Sequence, residues 1–190
     1  MADRKLVRLA ATLLFTGVLF SLLVGVFHAD RADTNDHAAA FAEYAASRIW
    51  TAVHLGQSAG MTLIILGLLA LFFGLNVDPG PAGSLGRFGV MSVVVSLSLY
   101  GVLQAVDGVA LKQAVDAWVG APEAEGAARF AGTEAVRWLE WGVRSYQSFI
   151  LGLSLILFGI VIVWTARIPK PVGYLMGVCG LAYLAHIGEA

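Results

Sequence analysis

The run from Ile49 to Leu75 contains no Asp, Glu, Lys or Arg. At 1.5 Å per residue a helix of about 20 such residues crosses the ~30 Å hydrocarbon core of a bilayer. Other apolar runs, with at most two charged residues each, recur at 6–27, 88–111, 139–166 and 172–187. The expected fold is therefore all-α: an integral membrane bundle of about five transmembrane helices, forming a single domain over 1–190, with a short outer-surface helix. Composition agrees, with 58% hydrophobic and 13% charged residues and a mean hydropathy of +0.79, which no soluble domain could bury. A net charge of -1 supplies no basic patch, so nucleic acid is excluded as a partner. The one cysteine, Cys179, lies inside an apolar run and rules out an intramolecular disulfide or a CxxC motif.

The first run follows Arg4 and Lys5, with Arg8 just inside it, but is longer than a signal-peptide core. Phe27-His28-Ala29 is also a poor cleavage site, so the helix is expected to be retained. The second run ends at Asn76-Val77-Asp78-Pro79-Gly80-Pro81, residues that do not continue a helix. The third extends toward Trp118 and breaks at Gly120-Ala121-Pro122. The polar stretch Ala121 to Arg137 reads as the short surface helix, with Thr133 as N-cap of the next span. That fourth span stops at Arg167-Ile168-Pro169-Lys170-Pro171, and the fifth is short, as if a sixth helix were missing.

Cations in short loops mark the cytoplasmic side. Arg4, Lys5, Arg8, Arg87, Arg167 and Lys170 fall on one side, whereas the polar segments Asp30 to Arg48 and Lys112 to Arg137 fall on the other. The N-terminus is expected to be cytoplasmic, in a cell inner membrane. Tyr44, Trp50, Trp118, Trp138 and Trp141 near outer helix ends, and Trp164 near an inner one, read as interfacial anchors. Gly56/Gly60 and Gly173/Gly177 have the small-residue spacing that lets helices approach closely, within the bundle or in a homo-oligomer.

Ionisable groups at membrane depth carry the functional information, because hydrocarbon penalises them. By helical rise His54 lies ~9 Å below the outer helix end and His186 climbs ~22 Å from the inner end, which places both in one layer. Gln104 and Asp107 share a face of the third span, Glu140, Arg144 and Gln147 a face of the fourth, and Gln57 extends the polar face of His54. An outer polar cluster thus stands over an inner apolar plug. Paired His54 and His186 suit a haem iron or, with Asp107 or Glu140, a transition metal, and Arg144 suits haem propionates. Two other roles stay open: a pocket for a small ligand or lipid headgroup, and mutual neutralisation of Asp107, Glu140 and Arg144 that simply ties helices together. His28 ends the first helix and points toward the same layer, while His37 reads as a solvated loop residue. Asp33, Asp36 and His37 match no standard ligand spacing.

Nucleophile, nucleotide and zinc-protease motifs are missing from the sequence. The segment Arg167-Ile168-Pro169-Lys170-Pro171-Val172-Gly173-Tyr174-Leu175-Met176-Gly177-Val178-Cys179-Gly180-Leu181-Ala182-Tyr183-Leu184 resembles uncharacterised bacterial multi-pass membrane proteins with Pro-x-Gly-Tyr-Leu and Gly-Leu-x-Tyr-Leu in a late helix. His54-Leu55-Gly56-Gln57 is similar to that group too. The resemblance implies no activity, and its members often continue into another helix. The leading functional reading is a small bacterial membrane protein with an outer-side pocket for a ligand, lipid, metal or haem. The alternatives are an accessory subunit packed on a larger membrane-protein partner, a membrane-embedded enzyme and a minimal transporter. Transport is disfavoured by the unbroken apolar inner half and the absence of an evident inverted repeat.

The orientation is testable by cysteine labelling in intact cells. With the N-terminus inside, Ser84→Cys is shielded from an impermeant thiol reagent added outside, whereas Glu125→Cys is labelled; the reverse pattern overturns the orientation.

Overall fold

The computed structural model describes residues 1–185 apart from Asp30 and Thr34. All regular elements among them are helical: α1 (Arg4–Gly25), α2 (His37–Ala46), α3 (Trp50–Leu75), α4 (Pro81–Ala105), a π-helical segment (Val106–Leu111), α5 (Lys112–Val119), α6 (Glu123–Thr165) and α7 (Lys170–Ala185). Their ends follow local chemistry. The Asp3 carboxylate accepts the amides of Lys5 and Leu6 to start α1, and Asp36 accepts that of Ala39 to start α2. Asn76 and Ala166 turn left-handed, at φ 47° and 49°, to end α3 and α6. Gly80 at φ 145° precedes Pro81, which opens α4 where its missing N–H costs nothing.

Four helices are long and apolar enough to cross a membrane: Arg4–Gly25, Trp50–Leu75, Pro81–Val119 and Glu123–Thr165. α7 contributes 16 residues to the fifth run. Two boundaries differ from the sequence expectation. The 121–137 stretch is not a separate surface helix; from Glu123 onward it is the first turns of α6, 43 residues without a break. Its Ala-rich composition favours continuation, and Thr133 is no cap, since its hydroxyl donates to Arg129 O one turn back and to Ala114 O on α5. The short helix outside the long spans is instead α2, in the segment read as a polar loop.

α1 packs along α3, α4 along α6, and α6 along α7. The interior is layered from one end to the other. Phe41, Tyr44, Trp50, Leu111 and Val115 form an aromatic cluster beneath α2. Ile65, Leu68, Val93, Leu151 and Phe158 fill the middle, and Ala10, Leu71, Leu75, Val161 and Ile162 the far end. Outward, Phe15, Leu22, Phe73, Met91, Leu175 and Val178 stand exposed, a surface that lipid solvates and water would not.

Where dispersion alone draws helices together, small residues decide how closely they approach. Gly60 faces Gly17 of α1, and a Cβ on Gly17 would lie 2.9 Å from Gly60 O. At the α6–α7 crossing, a Cβ on Gly173 would lie 2.7 Å from Gly159 O. These glycines serve packing inside the bundle. Gly173→Ala is expected to cost about 1–3 kcal/mol by overpacking, seen as a lower thermal midpoint in detergent. Gly101→Ala, with nothing within 4 Å of its added methyl, should leave the midpoint unchanged or raise it, by up to about 1 kcal/mol.

Candidate functional site

The site is built on the irregularity that follows α4. The backbone widens to a π-helix over Val106–Leu111 before tightening into α5, and such insertions are frequent at functional sites. Two of its carbonyls are held by α3: Trp50 Nε1 donates to Asp107 O and Thr51 Oγ1 to Gly108 O, both at 2.9 Å. Gly108 permits the approach, because a Cβ there would sit 2.6 Å from His54 Cβ. The first turn of α3 is thereby seated on the π segment, which fixes His54 opposite Asp107.

His54 is only 2% exposed. Its Nδ1 lies 2.9 Å from Trp50 O; a carbonyl only accepts, so Nδ1 carries a proton and donates it. That leaves Nε2 facing Asp107 Oδ2 at 3.2 Å. The pair is close but not aligned as a hydrogen bond, and neither Nε2 nor Asp107 Oδ1 has a hydrogen-bond partner among the described residues. His28, just past the end of α1, brings its ring centroid within 5.1 Å of that of His54 and 5.0 Å of that of Trp50. One donor atom each from His28, His54 and Asp107 lie within 4.8 Å of one another.

An ionic layer extends from this trio. Asp107 Oδ2 is 3.5 Å from Arg144, whose guanidinium also binds Glu140 Oε1 at 2.6 Å, and Arg137 reaches Glu140 Oε2 at 3.0 Å. Glu140 is fully buried. Two carboxylates thus meet two guanidiniums, so the layer is charge-balanced before either histidine is counted. Arg137 also lies over the rings of Tyr44 and Trp141, 5.6 and 5.0 Å from their centroids, where the ring faces favour a cation. Arg144, 49% exposed, reaches the surface.

The structure brings His54, Asp107, Glu140 and Arg144 into one layer. Gln147, also buried, donates to Ser96 Oγ at 3.1 Å instead of joining the charges. Gln104 buries an Oε1 without a partner among the described residues, and Gln57 is half-buried one turn past His54. His186 lies outside the described residues. Trp50 and Tyr44, read from sequence as interfacial anchors, are buried at 2% and 1%: Trp50 donates to the π segment, and the Tyr44 ring packs on that of Trp50 with centroids 4.4 Å apart. Trp138 and Trp164 do stand exposed. Sequence reasoning passed over Arg137, although its i, i+3, i+7 spacing with Glu140 and Arg144 placed all three on one face.

α2 covers the aromatic end of the site. His37 is not a solvated loop residue: its Nδ1 is 2.8 Å from Glu134, and its ring packs on Phe41, Trp138 and Trp141. Asp33 and Asp36 spend their carboxylates on the amides of Asn35 and Ala39. Lys112 Nζ donates to Ala45 O. Glu43 accepts the amides of Ala32 and Arg31; these bonds, chiefly that from Ala32, hold its carboxyl below the usual range. The loop after His28 is thus tied to α2.

Bundle and site together define a multi-helix membrane protein with a buried ionic layer toward one end. Comparison with protein-family models, curated proteins and solved structures finds no match, and the functional reading rests on the geometry. The layer makes a first demand on stability. Glu140→Gln leaves two guanidiniums without their shared carboxylate and is expected to cost about 3–5 kcal/mol. Glu125→Gln, which removes an exposed ion pair with Arg129, should cost less than about 1 kcal/mol. Thermal midpoints of the two variants in one detergent check the contrast.

Proposed function

We propose that the protein is a multi-pass membrane protein, N-terminus cytoplasmic, whose outer polar layer binds a divalent transition-metal ion through His28, His54 and Asp107. The observation that carries this reading is the state of His54. Its Nδ1–H is committed to a backbone carbonyl, the usual outer-shell bond of a metal-ligating imidazole, and it turns the Nε2 lone pair toward a carboxylate oxygen. Two facing lone pairs repel unless a proton or a metal lies between them. A third donor from His28 favours the metal.

Two imidazoles and a carboxylate suit Zn²⁺ or Fe²⁺ and leave coordination positions for water or a small ligand. Haem fits less well. His54 is enclosed by Trp50, His28 and Gly108, neighbours too close for a macrocycle to lie between two axial ligands. Arg144, itself held by Glu140, offsets the charge of Asp107 at the same oxygen that faces His54.

The test uses tag-free protein in detergent, stripped with a chelator and titrated with Zn²⁺ and with Co²⁺. One equivalent should bind, and Co²⁺ should give ligand-field absorption. Asp107→Asn and His28→Gln should each weaken binding by more than the roughly 10–100-fold of a lost outer-shell partner. No stoichiometric binding, or binding unchanged in both variants, assigns His54 and Asp107 to an ion pair that only ties helices together, as in an accessory subunit.

A further inference from the structure

The opposite end of the bundle carries a second polar feature, unconnected with the histidines. A cleft of about 650 Å³ opens between the start of α1 and the α6–α7 turn, lined by Arg4, Val7, Arg8, Thr165, Arg167 and Ile168 among others. Arg4 and Arg8, four residues apart, project from one face of α1, and Arg167 faces them from the turn. Arg167 is paired with Asp78. Arg4 and Arg8 have no carboxylate within ion-pair distance among the described residues. Asp3, the nearest acid in sequence, is turned to the amides of Lys5 and Leu6. These two amides are therefore satisfied, and the guanidiniums of Arg4 and Arg8 are charged donors left available at the cleft.

We propose that this cleft binds the phosphate of an anionic phospholipid. Guanidinium forks match phosphate oxygens bidentately. The depth is that of a headgroup: the apolar run of α1 begins at Leu6, and Trp164, 60% exposed at the end of α6, marks the interface. Val7 and Ile168 give the cleft an apolar wall on its membrane side, where a glycerol backbone would lie, and basic pockets of this kind between transmembrane helices hold acidic headgroups. A soluble phosphate offers the same oxygens without the apolar portion.

The experiment is native mass spectrometry of the full chain in detergent with equimolar phosphatidylglycerol and phosphatidylcholine. The wild type should retain phosphatidylglycerol in preference by about tenfold or more, the scale of two cations at an anionic surface. Arg4→Gln/Arg8→Gln should lose that preference while keeping the wild-type thermal midpoint in phosphatidylcholine nanodiscs, since both side chains are exposed. Arg129→Gln, remote from the cleft, should keep it. Arg4→Gln and Arg8→Gln alone should each lose part, a readout that holds if the double variant folds poorly. A preference that survives in the double variant and both single variants overturns the proposal. Abolition of the preference by millimolar inorganic phosphate reassigns the cleft to a soluble anion and overturns the lipid. Neither outcome bears on metal binding at the other end.

Discussion

The contact between the first turn of α3 and the π segment after α4 is the constraint from which the site follows. A π turn leaves carbonyls off the α-helical ladder, and in a membrane interior each must find a donor. Trp50 and Thr51 supply the donors, Gly108 supplies the room, and His54 sits one turn beyond. A regular α-helix through 106–111 would rotate Asp107 relative to α3 and bring different carbonyls to Trp50. The irregular backbone therefore positions the acid as much as the acid's place in the sequence does.

Once Asp107 and Glu140 are buried, the rest of the layer is a response to charge in a low dielectric. Taking such groups out of water costs several kcal/mol each, and replacing a buried pair with apolar side chains is often neutral or stabilising. Helix association alone is therefore a weak reason for two carboxylates and two arginines here. Closely packed glycines already join α1 to α3 and α6 to α7 without any charge. What the arginines do in the layer is balance its two carboxylates, Arg144 touching both and Arg137 touching Glu140.

Length and polarity made the helices legible in the sequence, because hydrocarbon imposes a minimum apolar run and few alternatives satisfy the backbone. Periodicity likewise placed Glu140 and Arg144 on one face of the fourth span and Gln104 and Asp107 on one face of the third. What it could not reveal was the π turn: no residue type encodes a one-residue insertion, and the effect appears only when α3 meets it. Tyr44 and Trp50 were misplaced for a related reason. Aromatic residues at a helix end have the same sequence signature whether they face headgroups or a covering helix, and α2 was concealed by the polar residues around it. The continuity of α6 through Thr133 was hidden because a hydroxyl that caps a helix and one that donates to its own preceding turn look alike in sequence.

The cover also determines how anything reaches the histidines. α2 lies over Tyr44 and Trp50, anchored through His37 to Glu134, through Lys112 to Ala45 O, and through Glu43 to the loop that follows His28. His54, Asp107, Glu140 and Arg137 are each no more than 5% exposed. Arg144 is half exposed, and its guanidinium contacts both buried carboxylates. Entry beside Arg144 requires its guanidinium to leave both Glu140 and Asp107. Entry through α2 requires three separate attachments to break together. Both approaches therefore break polar contacts, on the first the ion pairs of Arg144 with Glu140 and Asp107 and on the second the three attachments of α2.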